Sequence, residues 1–309
     1  MIRLPRRRRG EPAPAPATTG PVGSVAPGRV VLVGGLHRSG TTPLAAALAA
    51  HPQVSGLSGT GVPHDEGQHL QDVYPPAITY GGSGRFARRP EAHLTESSPL
   101  ATPDAGSRLL AAWRPYWDLS RPVLVEKSPP DMLMGRFVQQ VLPGSALVVV
   151  VRHPVVVALG TRKWRSLRTG DPRKREPLTA LVEHWMRAHR VLLEDLAHLR
   201  RAHVLHYEDL VRDPVAELAR LQRFLRLDGP IPAESLLTGR SEAYAQQWRR
   251  MRRWWRPGSR QRRLVERWYT ADMAHLGYRC DDLGARGPWS PEARAFAGRA
   301  TPPDPSRDV

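Results

Sequence analysis

The densest run of chemically capable residues is Gly34-Gly35-Leu36-His37-Arg38-Ser39-Gly40-Thr41-Thr42. An apolar run, Val30 to Val33, precedes it, and an Ala/Leu-rich stretch from Thr42 to Ala50 follows and ends at His51-Pro52. A strand, a glycine-containing loop and a helix in that order make a phosphate site. Backbone N–H groups and the positive end of the helix dipole converge at the helix start. The spacing is that of the Walker loop, G-x-x-x-x-G, but Thr41 stands where that motif requires lysine. A kinase or hydrolase uses the lysine to reach the outer phosphates and a following hydroxyl to hold magnesium. A loop with Arg38 inside it, and no such lysine, suits a nucleotide with one 5′-phosphate and one further anionic group.

Three further groups sit after apolar runs. Arg152 ends Val148-Val149-Val150-Val151-Arg152-His153-Pro154, at the strand edge where open α/β sheets bind ligands. Lys127 follows Val123-Leu124-Val125-Glu126, in a chain whose only other lysines are Lys163 and Lys174. Tyr207 belongs to His206-Tyr207-Glu208-Asp209-Leu210, where the bland reading is a half-buried strand residue.

These groups need a scaffold, and the pattern between them alternates in the βαβ manner. Ala146 to Val151 reads as a central strand buried on both faces. A helix near Met132 to Leu142 precedes it, and helices are expected over Val155 to Leu167, Leu178 to Leu199 and Val215 to Leu225. Val204 to Tyr207 completes the strands. The fold class expected is therefore α/β, a P-loop-type parallel sheet with helices on both faces. The boundaries expected are a basic Pro/Ala-rich arm over residues 1–27, one domain over 28–283 and a tail over 284–309. The stretch from Gly56 to Leu119 is less regular and long for a connection, as functional insertions often are.

Composition narrows the classes further. The 309 residues carry a formal charge of +17, nearly all from arginine, which attracts anionic ligands. One cysteine, Cys280, excludes an intramolecular disulfide framework and a cysteine zinc cluster, and a reducing, cytoplasmic setting fits best. No apolar stretch is long enough to span a membrane. The segment after Arg6 to Arg9 is Pro/Ala-rich rather than apolar, so no secretory signal is expected.

Gly-x-x-Arg-Ser-Gly-Thr-Thr after an apolar strand resembles the 5′-phosphosulfate loop of sulfotransferases that use 3′-phosphoadenylyl sulfate (PAPS), most of all the tyrosylprotein and bacterial branches. The resemblance implies a sulfotransferase in which Arg38, Ser39, Gly40, Thr41 and Thr42 hold the 5′-phosphate and sulfonate. The strand ending in Arg152 and Pro154 is similar to the family's 3′-phosphate motif, so Arg152 would pair with that phosphate as a bidentate donor. The family's serine, eight residues after the arginine, is Gly160 here, and Thr161 is the substitute expected. Lys127 resembles the lysine that reaches the sulfate, where it would stabilise charge building on the bridging oxygen. Tyr207 matches the tyrosine near the nucleotide.

The resemblance also requires a base for the acceptor hydroxyl. The ungapped position is Ser58-Gly59-Thr60, which has no carboxylate, and the next acidic group is His64-Asp65-Glu66. Glu66 is the base expected, with Asp65, His64 and His69 as competitors, and Glu91, His93 or Glu96 if this loop is merely polar. The product is 3′,5′-ADP (PAP), no metal is implied, and the acceptor is a carbohydrate, lipid, small molecule or protein tyrosine. Two rival classes are a P-loop kinase or hydrolase and a nucleic-acid-binding protein with a degenerate P-loop. The stretch from Trp248 to Arg263 bears on the latter, because arginines between tryptophans could track nucleic acid. By resemblance it is a basic loop over the nucleotide. Its bland reading is an amphipathic segment with the tryptophans packed inward.

Overall fold

A computed structural model describes residues 25–169, 176–236 and 240–289. Of the two expected tails, residues 1–24 and 290–309 lie outside the described residues, while Val25 and Trp289 pack against the core. The chain begins with strand β1 (Val30–Gly34), helix α1 (Thr41–Ala49) and the short strand β2 (Val54–Gly56). A long connection built of 3-10 turns leads to α2 (Ala105–Trp113), and then β3 (Val123–Glu126), α3 (Gly135–Val141) and β4 (Ala146–Val151) follow. Two helices, α4 (Pro154–Thr169) and α5 (Leu178–Leu196), lead to β5 (Ala202–His206). The remainder is helical: α6 (Tyr207–Arg212), α7 (Pro214–Leu225), α8 (Arg240–Arg250) and α9 (Ser259–His275).

The five strands form one parallel sheet in the order β2-β3-β1-β4-β5. Both faces are buried, as an all-parallel sheet requires. Along β1, Val30 and Leu32 face one core while Val31 and Val33 face the other. In β4, Leu147, Val149 and Val151 join the first, and Ala146, Val148 and Val150 the second. One layer draws on α2, α3, α4, α5 and α9, and the opposite layer on α1, α6 and α7. Among the described residues no helix is long and apolar enough to cross a membrane.

The expected elements are present, with local corrections. The helix expected from Met132 is divided: a 3-10 turn, Pro129–Leu133, ends at Met134 in a non-helical conformation (φ −127°, ψ 10°), and α3 starts at Gly135. Tyr207 opens a helix rather than ending a strand. Strand β2 escapes a periodicity reading because Val54-Ser55-Gly56 is too short to show one.

The layers enclose several histidines. Burial, the leading cause in each case, depresses His37 and His153 to about 4 and His189 and His206 to about 3. His184 is depressed well below its ordinary value for the same reason. Val155 donates its N–H to Nδ1 of His153, so the ring's proton sits on Nε2 and is donated to the Arg279 carbonyl. Between pH 6.5 and 4 an unfolded chain binds protons that these folded rings refuse. Stability therefore falls as pH drops through that window, by up to about 1.4 kcal/mol per pH unit for each ring. Glu126, Asp131 and Glu208, all raised by burial, act in the opposite sense but are outnumbered. The unfolding temperature should fall steadily from pH 7 to pH 5 in a thermal melt, and a flat or rising profile would contradict this balance.

Candidate functional site

Because all five strands run the same way, their carboxyl ends share one edge of the sheet. The loop Gly35–Gly40 follows β1, Lys127 follows β3, Arg152 follows β4 and Tyr207 follows β5. Three residues of the loop have positive φ, Gly35 at 145°, Arg38 at 76° and Gly40 at 110°, the last capping α1. A Cβ on Gly40 would stand 2.6 Å from the Tyr207 ring, so the loop lies directly on that ring. Thr41 is buried in the first turn of α1, and Thr42 and the Arg38 side chain are exposed.

The Arg152 guanidinium stacks over the Tyr207 ring at 3.9 Å. It donates from Nη1 to the Arg38 carbonyl (3.0 Å) and from Nη2 to Ser241 Oγ (2.8 Å). Its Nε is buried without a partner, and among the described residues no carboxylate forms an ion pair with it. Desolvation lowers its pKa, with Tyr207 and Glu208 opposing, yet a guanidinium remains charged. Ser39 is fully buried, and its Oγ also lacks a partner. Buried polar groups left unmatched cost free energy. Two of them beside the orphan N–H groups of a helix start form a cradle suited to an anion.

Lys127 and Glu66 meet nearby. Lys127 Nζ donates to Glu66 Oε1 at 2.9 Å, and both side chains are buried. Gln68 Nε2 donates to Glu66 Oε2 (2.6 Å), and His69 Nε2 lies 3.9 Å from the same oxygen. The loop carrying Glu66 is pinned from both sides. Gly67 donates its N–H to Glu126 Oε1 (2.8 Å), while Trp113 donates to the Gly67 carbonyl (3.1 Å). Gln68 donates to Ser128 Oγ, which itself donates to Glu126. Beneath them, burial and the Glu126 charge raise the Asp131 carboxyl well above the usual range. Glu126 is likewise raised by burial, and Glu126 Oε2 and Asp131 Oδ1 are buried without a donor.

The competing bases are engaged otherwise. Thr60 donates to Asp65 Oδ1 through its N–H and hydroxyl, and His64 is exposed in a left-handed conformation. Glu91 is exposed, His93 bonds Asp195 and Glu96 pairs with Arg136. His37 is half-buried, but its Nδ1 is enclosed without a partner, and Glu66, Lys127 and Arg38 all act on its charge. Thr161 is buried on α4, where with Leu36, His37 and His184 it walls a gap too narrow for water. The hydroxyl that meets Arg152 is that of Ser241, and a Cβ on Gly160 would touch Arg38 and the Tyr244 hydroxyl at 3.3 Å. Sequence reading missed Ser241, which lies 89 residues from Arg152, and the Glu126–Asp131 pair, half of which stood beside Lys127 in plain view.

The model of the Sulfotransferase family matches residues 30–230, which span β1 through α7 and hold every group described above except Ser241 and Tyr244. The chain belongs to the sulfotransferase family. That membership selects among the three classes its loop and charge had left open. Solved structures similar to this sulfotransferase include the sulfotransferase domain from the curacin biosynthetic pathway, at 18% identity. There 79% of this chain and 98% of that one are covered, with a TM-score of 0.43. Another is the sulfotransferase domain of the Synechococcus PCC 7002 olefin synthase, at 19% identity, 87% and 92% coverage and a TM-score of 0.41. A third is sulfotransferase STF9 from Mycobacterium avium, at 17% identity, 71% and 67% coverage and a TM-score of 0.46. No curated protein sequence matches the chain.

The contact between loop and ring is testable through two glycines. Gly59→Ala meets nothing and bears only its left-handed backbone (φ 65°), a cost of about 1 kcal/mol. Gly40→Ala adds a clash with Tyr207 and should cost at least about 2 kcal/mol, lowering the melting temperature by several degrees more than Gly59→Ala does. Equal melting temperatures for the two variants would show that the loop does not rest on Tyr207.

Proposed function

We propose that this sulfotransferase moves the sulfuryl group of PAPS to an acceptor hydroxyl or amine and releases 3′,5′-ADP. The observation that carries the reading is a pair of unsatisfied, buried donors on neighbouring strand ends. Ser39 lies at the start of α1 and Arg152 at the end of β4, with Tyr207 between them. A nucleotide with phosphates at both 5′ and 3′ positions needs two such cradles. Arg38, Ser39, Gly40, Thr41 and Thr42 would hold the 5′-phosphate and sulfonate through side chains and the helix N–H groups. Arg152, positioned by Ser241 and supported by Tyr207, would hold the 3′-phosphate. Thr161 lines a gap with Leu36 and His37 behind the loop.

Bound PAPS would supply an activated sulfonate whose S–O bond to the 5′-phosphate breaks as the acceptor oxygen attacks. Glu66 takes the acceptor's proton, and its carboxylate is held for that task by Gln68 and Lys127. Lys127 uses one N–H on Glu66, which leaves two for the oxygen that gains charge as the leaving group departs. A neutral His37 at ordinary pH adds no second positive charge there, since its pKa is depressed to about 4.

The assignment of Glu66 is tested with sulfur-labelled PAPS and a panel of sugars, lipids, phenols and tyrosyl peptides. Glu66→Gln should lower label transfer by about 10²-fold or more, the usual contribution of a general base. Calorimetric binding of 3′,5′-ADP should be retained. Near-normal transfer by that variant would remove Glu66 from the role.

A further inference from the structure

The stretch from Trp248 to Arg263 contains eight arginines and no acidic residue. Its tryptophans divide. Trp248 is buried, donates to the Cys280 carbonyl (2.8 Å) and packs under Arg262, whose guanidinium lies 4.7 Å above its ring. Trp254 and Trp255 face outward at 76% and 59% exposure, although two adjacent rings of that size would ordinarily be covered. They lie at the tip of the turn between α8 and α9, in a run from Arg252 to Pro257 that is exposed throughout.

The turn is rigidly built. Arg252, Arg253 and Arg256 donate their N–H groups to carbonyls three residues back, and Ser259 Oγ donates to the Trp254 carbonyl (2.7 Å). Buried Met251 anchors its base. Arg249 is paired with Glu242 and Arg262 with Glu266. Among the described residues, Arg250, Arg252, Arg253 and Arg256 form no ion pair with a carboxylate. Beside the rings an open cavity of about 470 Å³ is lined by Gln246, Gln247, Arg250 and Arg256, a donor-rich floor with no acceptor carboxylate.

We propose that this turn docks the enzyme on an anionic lipid surface. Trp254 and Trp255 would enter the interfacial layer, and the arginines and cavity would receive phosphate headgroups. Amphipathic indoles settle at the boundary between acyl chains and headgroups, and clustered arginines are drawn to anionic lipid. A single-stranded nucleic acid fits less well. Its successive bases need parallel platforms along a groove, whereas these rings stand at 88° to each other on a protruding tip. The α8 helix carries Ser241, bonded to Arg152, in its first turn and ends in this turn, so one helix of about 16 Å separates the membrane contact from the donor cradle. The docking does not depend on the identity of the donor.

The test is co-sedimentation of the full chain with phosphatidylcholine vesicles, with and without phosphatidylglycerol. Three variants are compared: Trp254→Ala with Trp255→Ala, Arg252→Glu with Arg253→Glu and Arg256→Glu, and replacement of Arg6 to Arg9 by Gln. The parent should bind only the anionic vesicles, more weakly as salt rises. The tryptophan and Arg252/253/256 variants should each bind roughly tenfold more weakly with unchanged melting temperatures. Brominated phosphatidylglycerol should quench the parent's tryptophan fluorescence and leave the double-tryptophan variant's unquenched. The proposal is overturned by an absence of parent binding, or by tryptophan variants that bind as the parent does. It is equally overturned if binding is lost only with the N-terminal arginines, or if oligothymidylate is held more tightly than the vesicles through the same tryptophans.

Discussion

Parallel pairing is the constraint on which the site depends. With β1 at the centre, β3 and β4 on its two sides and β5 beyond β4, the carboxyl ends of four strands open on one edge. Glycine loop, lysine, arginine and tyrosine each stand one residue or one loop past such an end. None is brought there by a long flexible segment. A single register shift in any strand would exchange its two faces and carry its terminal group away from the others.

Around that edge the chain concentrates positive charge that it neutralises only in part, at the Lys127–Glu66 pair. Arg152 is stacked and hydrogen-bonded but forms no ion pair among the described residues, and Ser39 holds a hydroxyl in reserve. Acidic groups close by are removed from play. Burial and the Glu126 charge raise the Asp131 carboxyl well above the usual range, and Glu208 accepts the His153 N–H at 2.8 Å. Glu66 meets Lys127. The result is an electropositive cradle beside the buried Glu66–Lys127 pair, in keeping with the reaction proposed for a sulfotransferase.

How much of this was legible beforehand follows from the range of each interaction. The loop was readable because its glycines, its missing lysine and its flanking strand and helix are all local in sequence. Arg152 and Lys127 were readable because parallel strands advertise their ends as long apolar runs. Glu66 was reached only by postulating an insertion after Thr60. Its setting depends on contacts with Glu126, Lys127 and Trp113, across 46 to 61 residues of sequence, that no pattern records. Ser241 was hidden for the same reason. Gly160 carries no hydroxyl, and the hydroxyl that Arg152 meets comes from Ser241 on α8, far along the chain. The tryptophans of the basic stretch divided between core and surface, which charge patterning could not have separated.

The central claim is that two cradles, one at α1 and one at Arg152, read the two phosphates of a single nucleotide. Titration calorimetry of the intact protein with 3′,5′-ADP and with 5′-AMP isolates the second cradle, since the ligands differ only in the 3′-phosphate. Charge-assisted hydrogen bonds from Arg152 should make 3′,5′-ADP bind about tenfold more tightly or better, with magnesium-ATP weaker than both. Equal binding of the two monophosphate-loop ligands, or a preference for magnesium-ATP, would contradict the account.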